Sequence, residues 1–359
     1  MRKLALLLGS LLVVASASAK EVVPAPVVVE EAPVQVIEKE VIVYRDKEEG
    51  FRPNGFVDLQ YRYYGDTEGQ NEGTWHGYSE EDGNNYSRTQ LEGKVNMTEK
   101  QSLYFRIREW NDLNENEKKH VTGDGTQTRL RYFYNHGNLG DSKVNFTSRI
   151  QYQDGSNSSQ SVQYQTRFNF ADYMFNNDFI KTTAFILAPT YEYGWATNDS
   201  DYYNGLGLYF LMVNQHPWGF ETGIETDSTF MYKFYGQDKK IAANGKTYDE
   251  NATVGLKVYF AQTTSLYSEG KLSIALYNEG GYNNFNWSEK DIYGTKGDQD
   301  TSYSAYWNPE FQFNYQATEN VVAYTNLGAE YRNWAEEGRK SATNWRWQPY
   351  ITVGFKTTF

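Results

Sequence analysis

The chain has 359 residues, a formal net charge of −12 and no cysteine, so disulfides, thiolate metal sites and cysteine nucleophiles are out, and the acidic balance lacks the basic footprint of a nucleic-acid binder. Mean hydropathy is −0.74, and beyond the N-terminal segment no run approaches the roughly 20 apolar residues of a spanning helix. A β-barrel escapes that test, because each of its strands turns only every second side chain to lipid.

Residues 1–19 read as a cleavable export signal. Arg2 and Lys3 form the charged start, residues 4–14 the apolar stretch, and Ala17-Ser18-Ala19 the small residues ahead of a cut before Lys20. The apolar stretch is too short for an anchor, and no cysteine follows that would take a lipid. Residues 20–50 are rich in Val, Pro and Glu, and Pro24, Pro26 and Pro33 favour extended backbone. They read as a periplasmic N-terminal arm, a tether with a helical or strand-like piece at 34–44; insertion as a plug is the alternative.

From residue 51 to 359 the pattern changes to short alternating bursts. Val57, Leu59, Tyr61 and Tyr63 enclose Asp58, Gln60 and Arg62. Leu103, Phe105 and Ile107 enclose Tyr104 and Arg106. Phe146, Ser148, Ile150 and Tyr152 enclose Thr147, Arg149 and Gln151. A period of two gives one apolar and one polar face. The bursts run near ten residues, enough for a tilted strand to cross a bilayer. Short connections near 98–101, 137–141, 172–179, 215–219, 262–270 and 317–320 alternate with more polar ones near 65–85, 111–125, 154–160, 196–201, 236–249, 283–301 and 335–343. The pattern predicts an all-β, transmembrane, antiparallel up-and-down barrel of fourteen strands, with twelve or sixteen as alternatives, short periplasmic turns and longer extracellular loops. Pro189, Pro309 and Pro349 fall inside predicted strands, where each removes a ladder bond.

The last strand places Ile351, Val353, Phe355, Thr357 and Phe359 on one face and Tyr350, Thr352 and Lys356 on the other. A terminal Phe closing such a strand resembles the signal read by the outer-membrane barrel-assembly machinery. Trp345 and Trp347 begin this strand, and the 31 tyrosines read as material for two interfacial belts.

Inward positions collect arginine: Arg62, Arg88, Arg106, Arg108, Arg129, Arg131, Arg149 and Arg167. No arginine then occurs from 168 to 331, where the candidate inward acids are Glu192, Glu221, Glu225, Asp227, Glu279 and Glu310. One reading is a channel with one basic and one acidic wall, whose low-dielectric surroundings focus the field. The other is a lumen of plain cross-strand ion pairs. Residues 111–125 are the candidate constriction loop. The four histidines lie in predicted loops (His76, His120) and turns (His136, His216), in no recognisable catalytic constellation, and no phosphate loop or HExxH is present. The acidic runs at 79–85 and 296–300 lack a fixed ligand spacing. Neither enzyme chemistry nor a cofactor is expected.

Several segments carry a family likeness: "LLGSLLVVASASAKEV" at 7–22, "VIVYRD" at 41–46, "RPNG" at 52–55, "LRYFYNHGNLGDSKVN" at 130–145, "FADY" at 170–173 and "WRWQP" at 345–349. Together they resemble the major outer-membrane porin of fusobacteria, over the whole chain and less so in the external loops. The resemblance implies a homotrimeric porin in the outer membrane of a Gram-negative bacterium, passing small hydrophilic solutes and ions by passive diffusion. It also implies an alternative role as a surface adhesin whose loops bind partner cells or host ligands. It brings no catalytic, cofactor or pore residues.

Overall fold

The computed structural model describes residues 50–68, 85–113, 125–155, 159–196, 201–236, 245–293, 298–333 and 345–359. The export signal, the arm apart from Gly50, His76, His120, most of 111–125, residues 79–84 of the first acidic run and residues 296–297 of the second lie outside the described residues. All fourteen strands belong to one compact unit, Pro53–Thr358. The other unit, Met1–Arg52 with Phe359, is described only at residues 50–52 and 359.

The alternating bursts become strands, because a pleated backbone sends successive side chains to opposite faces. In chain order they are β1 (Asn54–Tyr64), β2 (Tyr86–Asn96), β3 (Gln101–Asp112), β4 (Gly125–Asn138), β5 (Asn145–Asp154), β6 (Ser159–Asn169), β7 (Lys181–Ala196), β8 (Tyr202–Gln215), β9 (Phe220–Gly236), β10 (Glu250–Glu269), β11 (Leu272–Ser288), β12 (Thr301–Thr318), β13 (Val321–Asn333) and β14 (Trp345–Thr358). Each strand pairs antiparallel with its sequence neighbours. β1 also pairs with β14, from Phe56↔Thr358 to Tyr64↔Tyr350, which closes the barrel at fourteen strands. Closure leaves no edge of unpaired backbone N–H and C=O groups.

The closing seam shows how register assigns the faces. Asp58 stands opposite Lys356 and Arg62 opposite Thr352, while Leu59 meets Phe355, Tyr61 meets Val353 and Tyr63 meets Ile351. The first set turns inward: Thr352 is 1% exposed, whereas Ile351, Val353 and Phe355 are 39%, 44% and 46% exposed. Outward aromatic side chains gather at both ends of the strands. At the loop end Tyr331 packs on Trp345 and Trp347, with ring centroids 5.2 and 4.7 Å apart. At the turn end Phe146 stacks on Phe168 at 5.4 Å and Phe185 meets Phe210 at 5.6 Å. Among the described residues the one cluster of buried apolar side chains is Tyr64, Tyr86 and Tyr350, which register places on the inward face of the seam.

Two connections differ from the sequence expectation. β10 continues to Glu269, through residues read as a turn, and reverses at Gly270 with φ +57 and Lys271. β11 continues to Ser288, through the first residues of a predicted loop. The β10 extension is rich in Thr and Ser and sets Leu266 beside Tyr267, so it lacks the apolar alternation that announces a strand; the β11 extension alternates Phe285 and Trp287 with Asn286 and Ser288 but opens on Asn283-Asn284, which read as a loop. The prolines sit in strands as expected. The β6–β7 pairing skips from Gln165↔Thr190 to Phe168↔Leu187 beside Pro189, and β12–β13 skips from Trp307↔Tyr331 to Glu310↔Gly328 beside Pro309. Pro349 keeps its acceptor role: its carbonyl takes a hydrogen bond from the Gly65 amide at 2.9 Å.

Candidate functional site

Inside the barrel, side chains from β3 to β10 line a cavity of about 800 Å³. Register carries all eight candidate arginines to the inward face. Arg62 stands opposite Arg88, and Arg108 opposite Gln90. Arg106 lies between Glu92 and Arg129. Arg131 lies between Tyr104 and Gln151, Arg149 opposite Gln165, and Arg167 opposite Thr147.

Glutamine is the recurring partner of these guanidinium groups. Arg88 donates to Gln60 at 3.2 Å, Arg106 to Gln127 at 3.3 Å, Arg108 to Gln90 at 2.5 Å, Arg129 to Gln153 at 2.9 Å and Arg131 to Gln151 at 2.6 Å. Arg149 donates to Gln163, and Arg167 to Gln165 at 2.6 Å. Among the described residues Arg88, Arg106, Arg108, Arg131, Arg149 and Arg167 make no ion pair, so the reading of the lumen as plain cross-strand ion pairing fails along this wall. The physical reason is supply: Glu92 is the one inward carboxylate on β2 to β6 within the described residues, and it already accepts from Gln90 at 2.8 Å and Tyr104 at 3.1 Å. Ion pairs form elsewhere, Arg62–Glu310 and Lys257–Glu279, each at 3.6 Å.

The candidate acids also face inward, and tyrosine holds them. Tyr203 donates to Glu192 at 2.5 Å, Tyr259 to Glu221 at 2.9 Å, Tyr209 to Glu225 at 2.6 Å, Tyr306 to Glu279 at 2.5 Å and Tyr350 to Glu310 at 3.0 Å. The side chain of Asp227 lies outside the described residues. Several of these rings lie flat across a glycine of the neighbouring strand. A Cβ on Gly194 would come within 2.2 Å of the Tyr203 ring, on Gly223 within 2.1 Å of Tyr259, and on Gly328 within 2.4 Å of Tyr350. The missing side chain lets the phenol reach across to the carboxylate. This network corrects the assignment of the tyrosine excess to interfacial belts alone: an inward set orients the lumen acids. The signal was present as Glu-x-Gly at 192–194 and 221–223, but the tyrosines that answer it sit on other strands.

Of the final strand, Ile351, Val353 and Phe355 point outward against β1, and Phe359 follows the strand at 49% exposure. His216 bridges the Phe179 carbonyl at 3.2 Å and the Thr222 hydroxyl at 2.9 Å. His136 Nε2 lies 2.9 Å from Ser148 Oγ, a contact the sequence did not suggest. Its ring stacks on Phe146, with centroids 4.3 Å apart.

Fold and lumen define a closed fourteen-stranded barrel with an apolar exterior and a polar, charge-segregated interior. No protein-family model matches the chain, and no curated protein does either. Solved structures similar to it include the outer-membrane channel DcaP of Acinetobacter baumannii, with 10% identity, 86% of this chain and 96% of that chain covered and a TM-score of 0.40. An anion-selective porin from Comamonas acidovorans matches with 9% identity, 86% and 99% coverage and a TM-score of 0.33. OmpF of Salmonella typhi matches with 11% identity, 86% and 98% coverage and a TM-score of 0.34.

Proposed function

We propose that this protein is an outer-membrane porin of the type found as the major porin of fusobacteria, a water-filled channel for passive diffusion of small hydrophilic solutes and ions. The observation that carries the reading is the sorting of side chains by register in a sealed cylinder. Large apolar residues such as Leu206, Ile150 and Phe311 are 58%, 50% and 48% exposed on the outside. Such a surface is unfavourable in water and suited to hydrocarbon. The aromatic rings at both strand ends match the headgroup levels of a bilayer. The inward face carries charge and amide groups around a cavity, which a dry core would not tolerate.

The same reading assigns residues 1–19 to export, 20–50 to the periplasm, and Ile351, Val353, Phe355 and Phe359 to recognition by the assembly machinery. A homotrimer follows from the family likeness alone. Reconstitution into a planar bilayer tests the function: stepwise, voltage-independent conductance increments are the expected result. A chain that inserts, shifts on gels with heating as a folded barrel and yet passes no current would sink the channel reading.

A further inference from the structure

We infer that the arginine wall of the lumen is a binding site for a small polyvalent oxyanion, a solute with two or more adjacent phosphate or carboxylate groups. The inference rests on the channel reading, since such a solute reaches the wall through the lumen.

The cavity lining is strongly unbalanced. Arg106, Arg108, Arg131 and Arg149, none in an ion pair among the described residues, face it together with two carboxylates, Glu192 and Glu225, which Tyr203 and Tyr209 already hold. Glutamine orients these guanidinium groups without neutralising them. Each has five N–H donors in a planar fork; Arg106, Arg108, Arg131 and Arg149 each spend one on a glutamine. Nε of Arg106 and Nε of Arg149 are buried with no partner, and Arg149 is only 5% exposed. A buried donor left unpaired is costly.

Register adds a second cost. Arg106 stands directly opposite Arg129, and like charges in that position repel. A wall that carries both costs is complementary to an anion. The spacing selects for multiple charges. Alternate residues along a strand lie about 6.8 Å apart and neighbouring strands about 4.8 Å apart, so Arg106 and Arg108 on β3, Arg131 on β4 and Arg149 on β5 present a lattice of forks rather than one. Phosphate and carboxylate both accept bidentate pairs from such forks. A single small anion satisfies one fork; two linked groups satisfy neighbouring forks together. A cavity of about 800 Å³ is within the range of small-molecule sites.

The test is calorimetric titration of the folded barrel in detergent with pyrophosphate and, separately, tricarballylate, at low and at physiological salt. Saturable binding of either, weakened about tenfold by Arg131→Gln and again by Arg149→Gln, is expected, because each removes a charge-assisted pair. The stronger of the two ligands identifies phosphate or carboxylate as the group recognised. If Arg149→Gln does not fold, Arg108→Lys serves instead: it keeps the charge, loses the fork, and is expected to weaken binding severalfold. No saturable binding of either anion to the parent barrel overturns the inference, as does affinity unchanged by the substitutions. Bilayer recordings separate this from the underlying reading. Conductance without binding ends the site and leaves the channel; binding without conductance ends the channel and leaves the site.

Discussion

A single glycine can decide where a lumen carboxylate points. At Gly223 an added Cβ would sit 2.1 Å from Cε1 of Tyr259, and Tyr259 is the donor to Glu221. Gly223→Ala therefore displaces the ring and removes the hydrogen bond in one step. The expected loss is about 1–3 kcal/mol, the usual scale of overpacking, read as a lowered guanidinium midpoint in micelles. In Tyr259→Leu, which leaves room above residue 223, the alanine should cost far less. Equal costs in both backgrounds would show that the flat ring is not what the glycine serves. At this scale the sequence was half legible. Alternation named the inward arginines and acids, because facing depends only on odd or even position within a strand. The partners were illegible: whether Arg131 meets a glutamine or a glutamate depends on which residue of β5 stands opposite, and that offset is set by turn geometry rather than by any local pattern.

A strand here has two environments one residue apart, and that makes the membrane reading testable element by element. In β13, Leu327 faces outward between Phe311 and Ile351 and is 45% exposed, while Asn326 faces inward between Gln312 and Thr352. Leu327→Arg places a charge near the middle of the apolar band and is expected to cost about 2–4 kcal/mol. Asn326→Lys adds a charge among polar groups and is expected to stay within about 0.5 kcal/mol. Unfolding in lipid vesicles measures both, and similar costs for the two would contradict the assignment of faces. The strands were legible wherever this contrast exists. They were not where it fades: in residues 263–269 of β10 Leu266 sits next to Tyr267 among Thr and Ser, and in β11 Asn283-Asn284 interrupts the alternation that Phe285 and Trp287 resume, each beside a register shift. Pro189 and Pro309 looked like errors in the strand map, yet they are local gaps in ladders that the rest of each strand holds together.

For the whole molecule, the chain order of charge becomes a field across the lumen. Arginine is concentrated on β1 to β6 and absent from residues 168 to 331, so closing the barrel sets a basic wall against one whose charges include Tyr-held acids. Fold class followed from sequence because strand number and closure are written in repeated alternation. The strength of the field was not, since ion pairing would have cancelled it, and only the glutamine partners show that it persists. For a channel the expected consequence is an anion preference that depends on salt. A unit charge acting on an ion about 10 Å away at an effective dielectric near 20 contributes about 1.7 kcal/mol. Screening with a Debye length of about 8 Å at 0.15 M reduces that to about 0.5 kcal/mol. Removing two such charges in Arg106→Ser/Arg108→Ser should therefore disfavour chloride and favour potassium by about fivefold each, lowering the chloride-to-potassium permeability ratio about thirtyfold, read from the reversal potential across a KCl gradient. In 1 M salt, where the Debye length is about 3 Å, parent and variant should converge. A ratio unchanged at low salt would mean that permeating ions do not pass within reach of this wall, and the basic face would then stabilise the barrel without selecting what crosses it.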